Sequence, residues 1–383
     1  MKIAQITLTS GLSSGQIFPS LQAIRPDLLL VFGSIGHFSQ ADFYPLLRQA
    51  FPDAILLGCS TAGEISGAGI SEQAIVLTAV RFEKTQIREA SVGLISMEQS
   101  AQTGRELATR LQGPELRAVL VFGQGVRING SALIEGMQEM LDASVVVAGG
   151  LAGDDGAFTR TAVLSDQGIS TNTVAALGLY GNRLMIRHGS QGGWRPFGPV
   201  RKVTRCSGNL LFELDGKPAL DVYRQYLGEY AAGLPGSGLL FPFEMLSGAR
   251  ESLGQIRTIL GIDESTGCLI LAGNISPDGY LRLMHAHTDD LVDGAEQAAR
   301  TAAGKATSAA SLALLVSCIG RKLVMGGRVE EEIEVVQETL GSAAVLCGFY
   351  SNGEIAPPLP GTAACLHNQT MTVTCLTETD TDA

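Results

Sequence analysis

The chain has 383 residues, 45% of them apolar and 17% charged, with a net charge of −11 and a pI near 5.0. That length gives room for two or three domains with their own cores, and the apolar content excludes a disordered chain. Acidity without a Lys/Arg cluster excludes a phosphate-reading nucleic-acid surface, and no run of eighteen uncharged apolar residues offers a membrane span.

The opening MKIAQITLTSG lacks the long apolar stretch of a secretion signal and reads as a first strand. Next comes an apolar strand ending in Phe32-Gly33, and then a helix with Phe43, Leu46, Leu47 and Ala50 on one face and Ser39 near its start. A second strand, Ala54 to Leu57, runs into GCSTAGEI. The same order returns at an offset of 90: Leu120-Val121-Phe122-Gly123, a helix with Leu133, Met137, Met140 and Leu141 behind Asn129, then Val145-Val146-Val147. In an ungapped match, Ala62-Gly63-Glu64 falls on Ala152-Gly153-Asp154. Further strands are expected over 74–82, 173–179 and 184–186.

Beyond a composition change near 210–220, Asp215-Gly216 reads as a turn into a helix, and 258–283 as two or three strands. The Ala-rich segment 289–310 reads as a helix packed closely on a sheet. A third strand–helix–strand copy follows at 312–347, closing with GFYSNGEI from Gly348 to Ile355, and then a last strand over 370–376. The tail from Glu378 to Ala383 is acidic and is expected to fray. The fold class is therefore α/β: mixed sheets with outer helices, built from repeated β-α-β-β units in two halves, 1–210 and 211–383. Loops at the strand ends are expected to line a cleft between the halves.

Enzyme motifs are missing. There is no phosphate-binding G-x-x-x-x-G-K-[ST] and no H-E-x-x-H, and Ser60 lies in G-x-S-x-x-G rather than the G-x-S-x-G of a nucleophile elbow. The reactive side chains Cys59 and Ser60 also change between copies, which favours a structural joint and no catalytic residue. Glu64, Asp154 and Glu354 end equivalent loops. They either line a ligand cleft or fix their own turns through backbone N–H groups. The seven cysteines are dispersed without C-x-x-C, as expected of reduced core residues in a cytosolic protein.

GCSTAGEI, VVAGGLAGDD, SQGGWRPFGPVRKVTRCSGNLLFELDGKPALDVYRQYLG and GFYSNGEIAP, in that order, resemble the FIST family over roughly residues 25 to 365. That family is a bacterial ligand-sensing module with N- and C-terminal halves. LLFPFEMLSG and LRLMHAHTDDLVDGAEQAA bring the chain closest to its stand-alone, NosP-type members. This resemblance implies a cytoplasmic sensor that binds haem b, senses nitric oxide, and signals to a histidine kinase or a diguanylate cyclase/phosphodiesterase. A haem-free module for a small metabolite such as an amino acid is the alternative, and a Ser hydrolase a distant third. Monomer and homodimer both remain open.

Haem iron is commonly held by an imidazole, so the five histidines carry that expectation. His188 in IRHGSQGGW is the first choice, with Gly192 and Gly193 letting the backbone approach a flat ring and Trp194 and Phe197 packing on it. His285 and His287, one face of an H-x-H strand, are the alternatives, with His37 and then His367 behind them. Cys206 and Cys318 are expected to be inert.

Overall fold

A computed structural model describes residues 1–303 and 311–380. Three of its four sheets share one strand order. In the first, Leu28–Ser34 runs parallel to Ile55–Thr61 and antiparallel to Ile75–Arg81, with Lys2–Leu8 outside. In the second, Leu116–Gly123 runs parallel to Val146–Leu151 and antiparallel to Thr173–Tyr180, with Gln86–Gly93 outside. In the third, Ser311–Cys318 runs parallel to Ala344–Ser351 and antiparallel to Met371–Glu378, with Leu184–Gln191 outside. The parallel strands are buried on both faces, which is why they read as unbroken apolar runs.

Each sheet is completed by a hairpin that belongs to another. Glu64–Ser66 and Gly69–Ser71 extend the third sheet, where Glu64 stands opposite Phe349. Val163–Ser165 and Gly168–Ser170 extend the first, and Gly353–Ala356 and Cys365–His367 extend the second. The exchange is cyclic. At its centre one phenylalanine from each sheet meets the other two, with ring centroids 4.8 Å apart for Phe32–Phe349, 5.5 Å for Phe32–Phe122 and 5.9 Å for Phe122–Phe349. These rings anchor a buried cluster drawn from all three sheets, whose burial drives the association.

The glycine of the closing motif is a steric necessity. A Cβ on Gly58 would stand 1.8 Å from the Val31 carbonyl oxygen, and one on Gly348 1.8 Å from that of Leu315. The second sheet meets the same constraint at Gly149, opposite Val121. Val31 faces Gly58, so the second parallel strand lies one residue further along than the ungapped match supposes. Of the two polar residues near helix starts, Asn129 does cap, accepting from the Ala132 N–H at 3.1 Å. Ser39 instead closes the short helix Ile35–Phe38, and Asp42 precedes Phe43–Ala50.

Helices cover the outer faces. Thr288–Ala303 lies on the third sheet through Ala295, Ala298, Ala299 and Ala302, close enough that a Cβ on Gly189 would be 2.1 Å from the Ala298 carbonyl. The remainder of the Ala-rich helical expectation, 304–310, lies outside the described residues. The fourth sheet, of nine strands between Arg195 and His285, is inserted between Leu184–Gln191 and that helix, and has its own core around Leu211, Tyr223, Phe243 and Leu269. Position 210 falls at the hairpin of Arg201–Ser207 and Leu210–Leu214 within this sheet. The tail differs from expectation at its start. Glu378 is buried, accepts from the backbone N–H groups of Glu83, Lys84 and Thr85, and pairs with the N-terminal ammonium at 2.9 Å. Residues 381–383 lie outside the described residues; among the described residues no helix is long and apolar enough to cross a membrane.

Candidate functional site

Gly189 faces the helix Thr288–Ala303, so strand alternation turns His188 and Ser190 toward the opposite, inner side. Ser190 reaches a cavity of about 420 Å3 between the end of the third sheet and the nine-stranded sheet. Its Oγ is buried and has no hydrogen-bond partner among the described residues. The chain then turns through Gly192 and Gly193. A Cβ on Gly193, at φ +75°, would stand 2.0 Å from the Asp290 carbonyl, so this glycine serves close packing on the helix. The Gly192 carbonyl accepts from Arg321 at 2.6 Å, and Trp194 donates Nε1–H to the Gln369 carbonyl at 2.8 Å. Gly192, Gly193 and Trp194 all line the cavity, as do Met284, Ile256 and Leu359.

His367, the last of the histidines in the haem expectation, also lines the cavity. It ends the short strand Cys365–His367, is 2% exposed, and has Nε2 3.0 Å from the Ala356 carbonyl. A carbonyl can only accept, which places the proton on Nε2 and leaves Nδ1 as a lone-pair acceptor. That Nδ1 is buried without a partner among the described residues. Burial holds the imidazole's pKa down at about 4, so it is neutral at pH 7. Nothing in HNQT announces this arrangement, because the partner carbonyl comes from across a hairpin. Among the described residues the one charged side chain on the cavity wall is Glu244, whose Oε2 takes both Nε and Nη2 of Arg282, the latter at 2.6 Å.

The other expected residues scatter. His188 is buried, its pKa lowered by burial and its Nδ1 unpartnered among the described residues, but it does not line the cavity. Phe197 is 43% exposed and packs edge-on against His285 at 5.7 Å, away from the cavity. The strand ends at His285, which leaves His287 exposed beyond it. Among the described residues no three His, Cys, Asp or Glu side chains gather as a metal would need. His37 bonds the Gln73 carbonyl at 3.0 Å.

Glu64, Asp154 and Glu354 are buried and occupied with their own turns. Glu64 accepts from Thr61 Oγ1 at 2.5 Å and the Ala74 N–H at 3.2 Å. Glu354 repeats the pattern with Ser351 Oγ at 2.9 Å and the Thr370 N–H at 3.1 Å. Asp154 accepts from the N–H groups of Phe158, Thr159 and Arg160. None of the three lines the cavity beside Ser190. Ser60 is saturated too: its Oγ donates to the Gly153 carbonyl and accepts from the Ala162 N–H, while burial pushes the Cys59 thiol far up. GCSTAGEI is a joint between sheets.

Comparison with known proteins bears on this geometry. An uncharacterised protein of Mycobacterium bovis is 28% identical over 366 residues, covering 90% of this chain and 89% of its own. One from Mycobacterium tuberculosis is 27% identical over 355 residues, covering 87% of each, and one from Methanocaldococcus jannaschii is 26% identical over 48% of this chain and 37% of its own. The crystal structure of cyanuric acid hydrolase from A. caulinodans aligns over 98% of this chain and 99% of its own, at 10% identity and a TM-score of 0.35. The model of the FIST N domain matches residues 27–217 and that of the FIST C domain residues 219–357. Between them they span both parallel strand pairs of the first two sheets, the inserted sheet and the third sheet's parallel pair. The chain belongs to the FIST family, whose domains are sensor modules of signal transduction.

Proposed function

We propose that this protein is a cytoplasmic sensor whose small polar ligand occupies the cavity between Ser190, Trp194 and His367. The observation that carries the reading is the unpartnered Nδ1 of His367, a buried acceptor on the wall of a cavity of about 420 Å3. Native proteins rarely leave such a group unpaired, and a ligand N–H or O–H satisfies it. Ser190 Oγ offers a second bond, and Trp194, Ile256 and Met284 accept an apolar body. The Arg321 contact to Gly192 supports transmission. Glu332, the acid paired with Arg321, also accepts from Tyr350, so cavity wall and sheet junction share one network. The signal passes to a histidine kinase or a diguanylate cyclase/phosphodiesterase.

Haem and nitric oxide are the finer reading that the family resemblance implies. The residues present suit them less well: His188 and Phe197 do not border the cavity that holds Gly192, Gly193 and Trp194. His367 does border it, but its Nε2 is spent on the Ala356 carbonyl, and the unpartnered Nδ1 is the ring nitrogen crowded by its own Cβ. The test is a thermal-shift screen of amino acids and small amines beside a haem titration. A binding amine at one hundred times its Kd stabilises by about 2.7 kcal/mol, and His367→Leu weakens it at least about tenfold. A Soret band on haem addition that disappears in His188→Ala or His367→Leu would replace this reading with haem.

A further inference from the structure

We infer that a second cavity, distinct from the one above, binds a small apolar molecule carrying one hydrogen-bond donor. It measures about 220 Å3 and lies where the start of helix Gly130–Gln138 and the end of strand Val146–Leu151 meet the inserted sheet at Leu260 and Ile270. Ile128, Leu151, Phe158, Leu260, Ile270 and Leu366 supply apolar wall, and among the described residues no charged side chain lines it.

Among the described residues three asparagines border this space, and one of them keeps a buried acceptor without a partner. Asn129 accepts from the Ala132 N–H and donates to Asn274, and Asn209 donates to the Leu271 carbonyl. Asn352 differs. Its Nδ2 donates to the Gly125 carbonyl at 3.2 Å, and because that partner only accepts, the amide orientation is fixed with Oδ1 on the other side. Asn352 is 7% exposed, and its Oδ1 is buried with no partner among the described residues. Its backbone N–H is tied to the Leu151 carbonyl at 3.1 Å, and it sits between the strands Ala344–Ser351 and Gly353–Ala356. The side chain is held in place with one acceptor to spare.

Water is a poor tenant. Ordered water bridges two to four polar partners, and among the described residues on this wall Asn352 Oδ1 is the buried side-chain acceptor left without one. A molecule with an apolar body and one N–H or O–H matches that inventory. The site is also separate in kind from the first cavity. Leu366 faces this one and His367 the other, as alternation along Cys365–His367 requires.

Indole and 1-methylindole, titrated calorimetrically into the full chain, test the inference, since they differ in the donor. Indole should bind saturably at one site, with 1-methylindole about tenfold weaker. Asn352→Leu should bring the two to equal affinity. Leu260→Trp, at a half-exposed rim position that tolerates substitution, should weaken both at least about tenfold by filling the space. His367→Leu should leave indole binding unchanged. Absence of saturable binding, equal affinity of the two probes for the native chain, or loss in His367→Leu but not in Leu260→Trp would overturn the assignment.

Discussion

Arg321→Met should lower the unfolding free energy by about 3–5 kcal/mol, read from urea denaturation. Arg321 and Glu332 are both 0% exposed, and the guanidinium reaches Glu332 Oε2 through Nε at 3.1 Å and Nη2 at 2.7 Å. Its remaining donors go to the Gly192 and Leu291 carbonyls. Glu332 Oε1 accepts from Ser317 and Tyr350, so every polar atom of the pair is engaged. Methionine fills similar volume but leaves a carboxylate with no counter-charge in the interior, together with two unpaired carbonyls. The double variant Arg321→Met, Glu332→Gln removes the stranded charge and should recover more than half of the loss. A single-variant loss below about 1 kcal/mol would mean that water reaches Glu332, contrary to its burial.

The second large effect is on pH dependence. Burial raises the carboxyl pKa of both Glu64 and Glu354 from the ordinary 4.5 to about 7. Between these values the folded state holds protons that the unfolded chain has released, so stability falls as pH rises. The contribution is fully present below pH 4.5 and lost as pH passes 7, on the order of 3 kcal/mol for each carboxyl. His367 works in the opposite sense. Its pKa, held at about 4 against an ordinary 6.5, removes stability as pH falls through that window. The native profile should thus be flatter than either set of groups dictates alone. Glu64→Gln with Glu354→Gln keeps the hydrogen-bonding shape without the charge and should expose the histidine's rise between pH 4 and 6.5. Profiles of native and double variant that run parallel from pH 4.5 to 7 would show that these carboxyls titrate normally.

The parts of the fold legible in sequence are those with local causes. Apolar runs ending at Phe32-Gly33 and Phe122-Gly123 gave their strands, the 3.6-residue spacing after Asn129 gave its helix, and the alanines of 295–302 gave the close helix on the third sheet. The α/β class follows from these. The hairpin exchange was not legible, because nothing near Glu64 records that its strand partner is Phe349. The site divided along the same line. Gly192, Gly193 and Trp194, named from a glycine turn beside an aromatic, lie together on the cavity wall, whereas Phe197, three residues on, leaves it with the strand Arg195–Pro196. His367 and Asn352 are proposed as ligand contacts on single unpaired atoms, and only three-dimensional accounting of hydrogen bonds reveals those.

The hairpins passed from sheet to sheet also bear on how the chain is made. During synthesis the first sheet waits for residues 163–170, the second for 353–367, and Leu184–Gln191 for a partner that emerges only with Met371–Glu378. These are pairings of very high sequence separation, which fold late and leave strand edges open meanwhile. A fragment ending near 210 therefore lacks an edge on its second sheet and any mate for Leu184–Gln191. The first sheet has all its strands once residue 170 has emerged, whereas the second and third close only when almost the whole chain is available, and their open edges are exposed to wrong pairing until then.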